Sequence, residues 1–161
     1  VSRVKCLIPM FNNIAIVGCG LIGGSLALFI KKAYPDTIIH GVNRRTEHIH
    51  ANALSSCFTT LNSACEALPK DLDLVFVCTP ISTTVSTIFK LASHVQDSCI
   101  LTDVASVKQE IVSGVDALNI KQLFIPAHPM AGKEQTGFEF ADDQLFIKAP
   151  YLVVPVESPR F

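Results

Sequence analysis

Charge is the first thing this sequence is short of. Only 17% of its 161 residues are charged, against roughly 25% in an average globular protein. The 13 basic and 14 acidic side chains leave a formal net charge of −1. That balance offers no electrostatic footprint for a nucleic-acid duplex or an anionic membrane, and neither partner is expected. The shortage also hints that some surface is covered by a partner or a further domain. Intrinsic disorder is excluded, because 49% of the residues are hydrophobic and mean hydropathy is +0.41. A chain of this length can bury a core, and one domain is expected.

Clustered metal ligands are missing as well. Six cysteines (Cys6, Cys19, Cys57, Cys65, Cys78, Cys99) form no CxxC pair, and the five histidines do not group with them, so no metal site is expected. No secretory signal is legible, and reduced thiols in a cytoplasmic protein are the reading. Cys19 and Cys78 fall in or beside apolar runs, where a free thiol packs as a small hydrophobe. His48 and His50 read as a solvated helix start, His40 and His94 as core histidines. No internal repeat or low-complexity tract is present.

From Cys6 to Ile30 there is no charged residue at all, which raises the question of a membrane helix. Pro9, Asn12, Asn13 and four glycines (Gly18, Gly20, Gly23, Gly24) interrupt it, and a helix interior tolerates that poorly. The stretch divides better into a short buried strand, a glycine turn and a helix. Residues 1–12 are set apart as an N-terminal extension, whether an upstream segment, an alternative start near Met10 or a trimmed remnant.

What is present is alternation. Strands are expected at Ile14–Val17, Thr37–Val42, Phe58–Leu61, Leu72–Val77, Cys99–Thr102, Leu123–Ile125 and Tyr151–Val154. Helices are expected at Leu21–Lys32, from Thr46 to about Leu54, near Ala64–Leu68, from a cap at Ser82 or Thr83 to about Ser93, and at Val107–Leu118. Leu72–Val77 is nearly all apolar, the mark of a strand buried on both faces. Strands alternating with helices in this way give βαβ units, hence an α/β fold with a doubly wound, mostly parallel sheet.

Gly18-Cys19-Gly20-Leu21-Ile22-Gly23 is a GxGxxG set between the first strand and the first helix. The first glycine permits the tight turn, the second lets the backbone approach a pyrophosphate, and the third allows close helix–strand packing. No Lys-Ser/Thr follows at the spacing of a P-loop. An NAD site places a carboxylate on the ribose at the end of the second strand. Here that position holds Asn43, followed by Arg44 and Arg45, whose guanidinium groups suit a 2′-phosphate. NADP is therefore favoured over NAD, the bland alternative being a solvated arginine loop. Three further segments fall at the carboxyl ends of strands: Cys78-Thr79-Pro80 beside the cofactor, Asp103 through Lys108, and His128 through Glu134. A histidine between small residues and a proline, in a loop at that edge, is poorly explained as packing.

In this order and spacing GCGLIGGSLA (from Gly18), VCTP (from Val77), DVASVK (from Asp103) and HPMAGKEQTGF (from His128) resemble the cofactor domain of the prephenate/arogenate dehydrogenases. DVASVK and HPMAG are the specific parts, and the resemblance runs from Asn13 to about Pro155. It implies a Rossmann-type dinucleotide-binding domain over residues 13–156, with residues 157–161 beginning a linker to a helical domain. It also implies oxidative decarboxylation of a cyclohexadienol, prephenate or arogenate, in tyrosine biosynthesis. Hydride passes to the nicotinamide, CO2 departs and the ring becomes aromatic. His128 matches the family's catalytic histidine, which takes the ring hydroxyl's proton, a role that suits an imidazole. Ser106 matches the serine that positions that hydroxyl, and Glu134 an acidic pocket residue of some members. Cofactor contacts are implied for Gly18, Gly20, Leu21, Ile22, Gly23, Asn43, Arg44, Arg45, Cys78, Thr79, Pro80 and Asp103. Lys108 is open between a substrate-facing charge, a charge behind the site and a helix-capping residue. The helical domain forms a homodimer in the family and completes the substrate pocket. Two other readings are a non-catalytic NADP-binding module and another NADP-dependent dehydrogenase, though the hydroxyacid and imine reductases lack HPMAG.

Overall fold

The computed structural model describes residues 11–155. The expected linker and nearly all of the expected extension lie outside them. Eight strands and four α-helices follow in the order β1 (Asn13–Val17), α1 (Leu21–Ala33), β2 (Ile38–Val42), α2 (Glu47–His50), β3 (Thr60–Asn62), β4 (Leu74–Val77), α3 (Ile81–Ala92), β5 (Ile100–Asp103), α4 (Gln109–Leu118), β6 (Leu123–Ile125), β7 (Ala127–Pro129) and β8 (Tyr151–Val153). Six strands make one parallel sheet in the order β3-β2-β1-β4-β5-β6. From β1 the chain winds outward to β3, then crosses over to β4 on the other side of β1. The order therefore reverses between β1 and β4, and ligands of open α/β sheets bind in the crevice at such a point.

Strand periodicity explains the two-sided core. Ala15 and Val17 of β1 join Val75, Val77, Leu101, Ile88, Leu91, Ile111 and Val115 on the face covered by α3 and α4. Ile14 and Ile16, one residue out of phase, join Leu26, Ala27, Ile39 and Phe138 on the face covered by α1. Ile88 and Leu91 of α3 are fully buried, each contributing roughly 1.5–3 kcal/mol by leaving water. The expectation that β4 is buried on both faces holds only in part. Val75 and Val77 are buried, whereas Leu74 and Phe76 are half-buried. They line an apolar trough of about 390 Å³ with Phe29, Ile100 and Tyr151.

Other boundaries move for local reasons. The helix expected to run to about Leu54 stops at His50, since Asn52 accepts a hydrogen bond from Leu54 N (2.9 Å) and opens a separate 3-10 turn at Ala53–Cys57. Ser82 and Thr83 do not cap α3. Pro80 occupies the cap position, and Thr83 Oγ1 donates instead to the Pro80 carbonyl (3.0 Å). α4 starts two residues later than expected, at Gln109. The sequence also gave no sign of β7. Pro126 ends the parallel ladder, and residues 127–129 pair antiparallel with β8 in a second, two-stranded sheet. His128 thus sits on a strand rather than in a loop.

His40 and His94, expected as core histidines, are only half-buried, but each is held by hydrogen bonds: His40 to Thr60 and Asn13 (2.8 Å each), and His94 to the Leu68 carbonyl (2.7 Å). The five described cysteines are all free. No group of potential metal ligands and no helix long and apolar enough to cross a membrane occurs among the described residues.

Candidate active site

The glycine loop joins β1 to α1 at the switch point. Gly18 N donates to the Val42 carbonyl (2.8 Å) and Cys78 N to the Val17 carbonyl (2.7 Å), which draws the ends of β1, β2 and β4 together. Gly18 has a φ of +95°, and a Cβ there would meet the Cys78 carbonyl oxygen at 2.5 Å, so both backbone geometry and space require glycine. A Cβ on Gly23 would be driven into the Gly18 carbonyl oxygen and would lie 3.0 Å from Ile16 Cγ2. Gly20 differs: nothing lies within 4 Å of where its Cβ would be. It occupies the cap position of α1, no side chain caps the helix, and the first turn holds no acid. The first-turn amides, those of Leu21, Ile22 and Gly23, carry the positive end of the helix toward that open space. An anion fits there.

Beside the loop lies a cavity of about 510 Å³, bounded by Gly18, Asn43, Arg44, Thr79 and Pro80, within the range of cofactor sites. Asn43 N donates to the Asn62 carbonyl (2.9 Å), and Asn43 Nδ2 donates to the Arg45 carbonyl (2.6 Å), closing the turn on itself. Arg44 lines the cavity; Arg45, paired with it in the sequence reading, does not. The Cys78 thiol is not among the cavity's lining either, and burial pushes its pKa far up. Sequence reasoning missed the opposite wall, formed by Thr83, Ser86, Thr87 and Lys90 of α3 together with Ser63 and Glu66. The 83, 86, 87, 90 spacing is one helical face, legible in the sequence but indistinguishable from an ordinary solvated stripe.

DVASVK and β7 meet at the end of β5. Asp103 is fully buried, and both its oxygens are taken inside the protein. Oδ1 accepts from Ala127 N (3.3 Å), while Oδ2 accepts from Ala105 N (3.0 Å) and from Lys108 Nζ. Both carboxylate oxygens of Asp103, expected as a cofactor contact, are thus already engaged within the protein. Lys108 Nζ also donates to the Ala127 carbonyl (2.6 Å); Lys108 occupies the N-cap position of α4, but its side chain makes no cap hydrogen bond and is turned to Asp103 and Ala127 instead. A buried pair of this kind costs about 3–5 kcal/mol to break from one side. His128 Nδ1 lies 3.1 Å from the Val104 carbonyl oxygen. A carbonyl only accepts, so Nδ1 carries a proton in this bond, and whenever the ring is neutral Nε2 is the nitrogen left to accept. Ser106 is exposed in the same loop, two residues beyond Val104. Glu134 is exposed on the segment after β7.

A parallel sheet in this order, with a glycine loop and an uncapped helix at its switch point, is a Rossmann-type fold built to hold a dinucleotide. A family model described as the prephenate dehydrogenase nucleotide-binding domain matches residues 26–160. The chain is 37% identical over 148 residues to a prephenate dehydrogenase of Lactococcus lactis subsp. cremoris, covering 88% of this chain and 40% of that protein. Among solved structures, Synechocystis arogenate dehydrogenase superposes with a TM-score of 0.81 at 33% identity, covering 90% of this chain and 50% of that one. Prephenate dehydrogenase from A. aeolicus, in complex with hydroxyphenyl propionate and NAD+, superposes with a TM-score of 0.82 at 26% identity, covering 95% of this chain and 53% of that one. This chain belongs to the prephenate dehydrogenase family, as its nucleotide-binding domain. It spans about 40% of the length of the curated prephenate dehydrogenases it matches.

Proposed function

We propose that the chain is the cofactor-binding part of an NADP-dependent dehydrogenase that oxidatively decarboxylates prephenate or arogenate in tyrosine biosynthesis. The observation that carries this reading is the His128–Val104 bond, which leaves Nε2 of the imidazole as a proton acceptor at the same sheet edge as the glycine loop. The complex of the A. aeolicus relative with NAD+ supports a nicotinamide dinucleotide. Preference for the 2′-phosphorylated form rests on Asn43, which brings no carboxylate, and on Arg44 at the cavity wall.

In this reading the amides at the start of α1 and the open space at Gly20 hold the pyrophosphate, and Arg44 holds the 2′-phosphate. The nicotinamide ring, when bound, supplies the hydride acceptor. Ser106 orients the ring hydroxyl of the substrate, and His128 Nε2 takes its proton as the carbon beneath loses hydride. Aromatisation drives loss of CO2, so the protein's task is orientation and one proton transfer. Glu134, exposed on the segment after β7, is assigned as a further polar contact to the substrate.

Calorimetric titration of the purified chain with NADP+ and NAD+ tests the cofactor half, with tighter NADP+ binding expected. Turnover of prephenate and arogenate, with the helical domain supplied in trans, tests the chemistry. His128→Asn is expected to cut turnover while leaving cofactor affinity near normal. Unaltered turnover would remove His128 from the mechanism, and loss of nucleotide binding along with it would assign the residue to structure.

A further inference from the structure

The ion pair of Asp103 and Lys108 lies behind His128, and its geometry exceeds what burial of two charges requires. Both polar groups of one peptide residue end on it: the Ala127 amide on Asp103 Oδ1 (3.3 Å) and the Ala127 carbonyl on Lys108 Nζ (2.6 Å). The reason lies in strand alternation. β7 pairs with β8 in the register Ala127↔Val153, His128↔Leu152 and Pro129↔Tyr151, with Val154 N bonded to the Pro126 carbonyl and Met130 N to the Pro150 carbonyl. In such a ladder every second residue turns its N–H and C=O away from the partner strand. Ala127 is one of these, and it is almost wholly buried. Its two groups would otherwise be orphaned beside the residue that precedes His128.

The same carboxylate reaches the other side of the imidazole. Asp103 Oδ2 accepts from Ala105 N at 3.0 Å, and that N–H belongs to the peptide unit whose carbonyl is Val104 C=O. Holding the peptide by its N–H aims its oxygen in the opposite direction, and there it meets His128 Nδ1 at 3.1 Å. One buried carboxylate thus fixes the acceptor, and with Lys108 it fixes the strand that carries the donor.

We propose that Asp103 and Lys108 are positioning residues, which clamp Ala127 by both its peptide groups and aim the Val104 carbonyl so that His128 keeps its proton on Nδ1. This also accounts for an acid and a base five residues apart in DVASVK: they close the loop that presents Ser106. The inference rests on the reading of His128 as proton acceptor, but its test does not depend on turnover.

The test is the tautomer of His128, read from the 15N chemical shifts of the ring in the labelled chain above its titration. The unmodified chain is expected to hold the neutral ring mainly as Nδ1–H. In Lys108→Met the Nδ1–H to Nε2–H ratio is expected to fall by at least about fivefold, the equivalent of one hydrogen bond. Because that variant leaves a buried carboxylate unpaired, Asp103→Asn combined with Lys108→Met removes both charges together, and it is expected to show the same fall with cooperative thermal unfolding retained. An unchanged ratio in the folded double variant would overturn the proposal. If the ratio falls as expected while His128→Asn leaves turnover intact, the clamp stands and the assignment of His128 as proton acceptor fails.

Discussion

Replacing Gly20 and Gly23 separately by alanine divides the glycine loop into a part that folds the chain and a part that binds the cofactor. At Gly20 the backbone is extended, with φ −87° and ψ −152°, a conformation alanine adopts freely, and no atom lies within 4 Å of the new methyl. The loss of a good cap residue and the smaller entropy of the unfolded chain are each about 0.5–1 kcal/mol and opposite in sign, so folding stability should be nearly unchanged. At Gly23 the methyl meets the Gly18 carbonyl and Ile16. Neither is the loose end of a long side chain, and overpacking of this kind costs about 1–3 kcal/mol. At about 2–4 °C per kcal/mol for a chain of this size, Gly23→Ala should melt roughly 2–12 °C lower, and Gly20→Ala within about 2 °C of the parent. Binding should show the reverse emphasis. A methyl on Gly20 holds the pyrophosphate away from the helix amides, and loss of two charge-assisted hydrogen bonds at about 1.5 kcal/mol each weakens NADP+ by roughly 150-fold. The assays are thermal unfolding without nucleotide and calorimetry with it. A Gly20→Ala chain that binds NADP+ within a few-fold of the parent would refute the claim that this glycine is kept open for a phosphate.

Arg44→Asp should weaken NADP+ by about 100-fold or more through a lost charge-assisted contact and a new repulsion, while NAD+ binding is spared or improved; an equal loss of both would refute the 2′-phosphate assignment. Burial pushes the thiols of Cys19 and Cys99 up to about 12 and that of Cys57 up to about 11. In the native chain at pH 8 the first two should be alkylated on the order of 1000-fold more slowly than in urea. Cys65, half-buried on the cavity wall, should react faster than these and be protected by NADP+; peptide mapping that finds Cys19 and Cys65 labelled at one rate would contradict this. Burial holds the His40 imidazole below its usual 6.5 despite the opposing charge of Asp71. The unfolded chain therefore binds the proton first as pH falls, and stability drops from pH 7.5 through 6.5 until the folded ring titrates in turn. His40→Gln should flatten that slope, and melts with equal slopes from pH 7.5 to 5 would exclude His40 as its source.

The fold was largely legible because its signals are local. Apolar runs such as Leu123–Ile125, and a glycine turn between a strand and a helix, announce themselves within a few residues. Alternation makes the sheet parallel and its crossovers right-handed, but the order β3-β2-β1-β4-β5-β6 is one of several that satisfy both rules and only the structure supplies it. What escaped depends on residues far apart in the chain. β7 exists only because residues 151–153 come back to pair with it, and nothing around Ala127 signals that return. Asp103 ends a strand at the carboxyl edge, which is all the sequence says of it; its bond to Ala127 N becomes visible only once β7 is in place. Thr83, Ser86, Thr87 and Lys90 carry no distinguishing signal in the sequence, because a cavity wall and a wetted helix face share one period.

The turn after β2 bears on how a preference between cofactors can change in descent. Asn43 braces that turn by donating its side-chain amide to the Arg45 carbonyl at 2.6 Å. An aspartate there would supply the carboxylate that grips a ribose hydroxyl, but it has no N–H to give and would set its oxygen against another oxygen. On the cofactor reading proposed above, Asn43→Asp thus adds a ribose partner and at the same time removes the bond that closes the turn. A carboxylate introduced at position 43 therefore calls for a second change elsewhere in the turn that restores the brace to the Arg45 carbonyl.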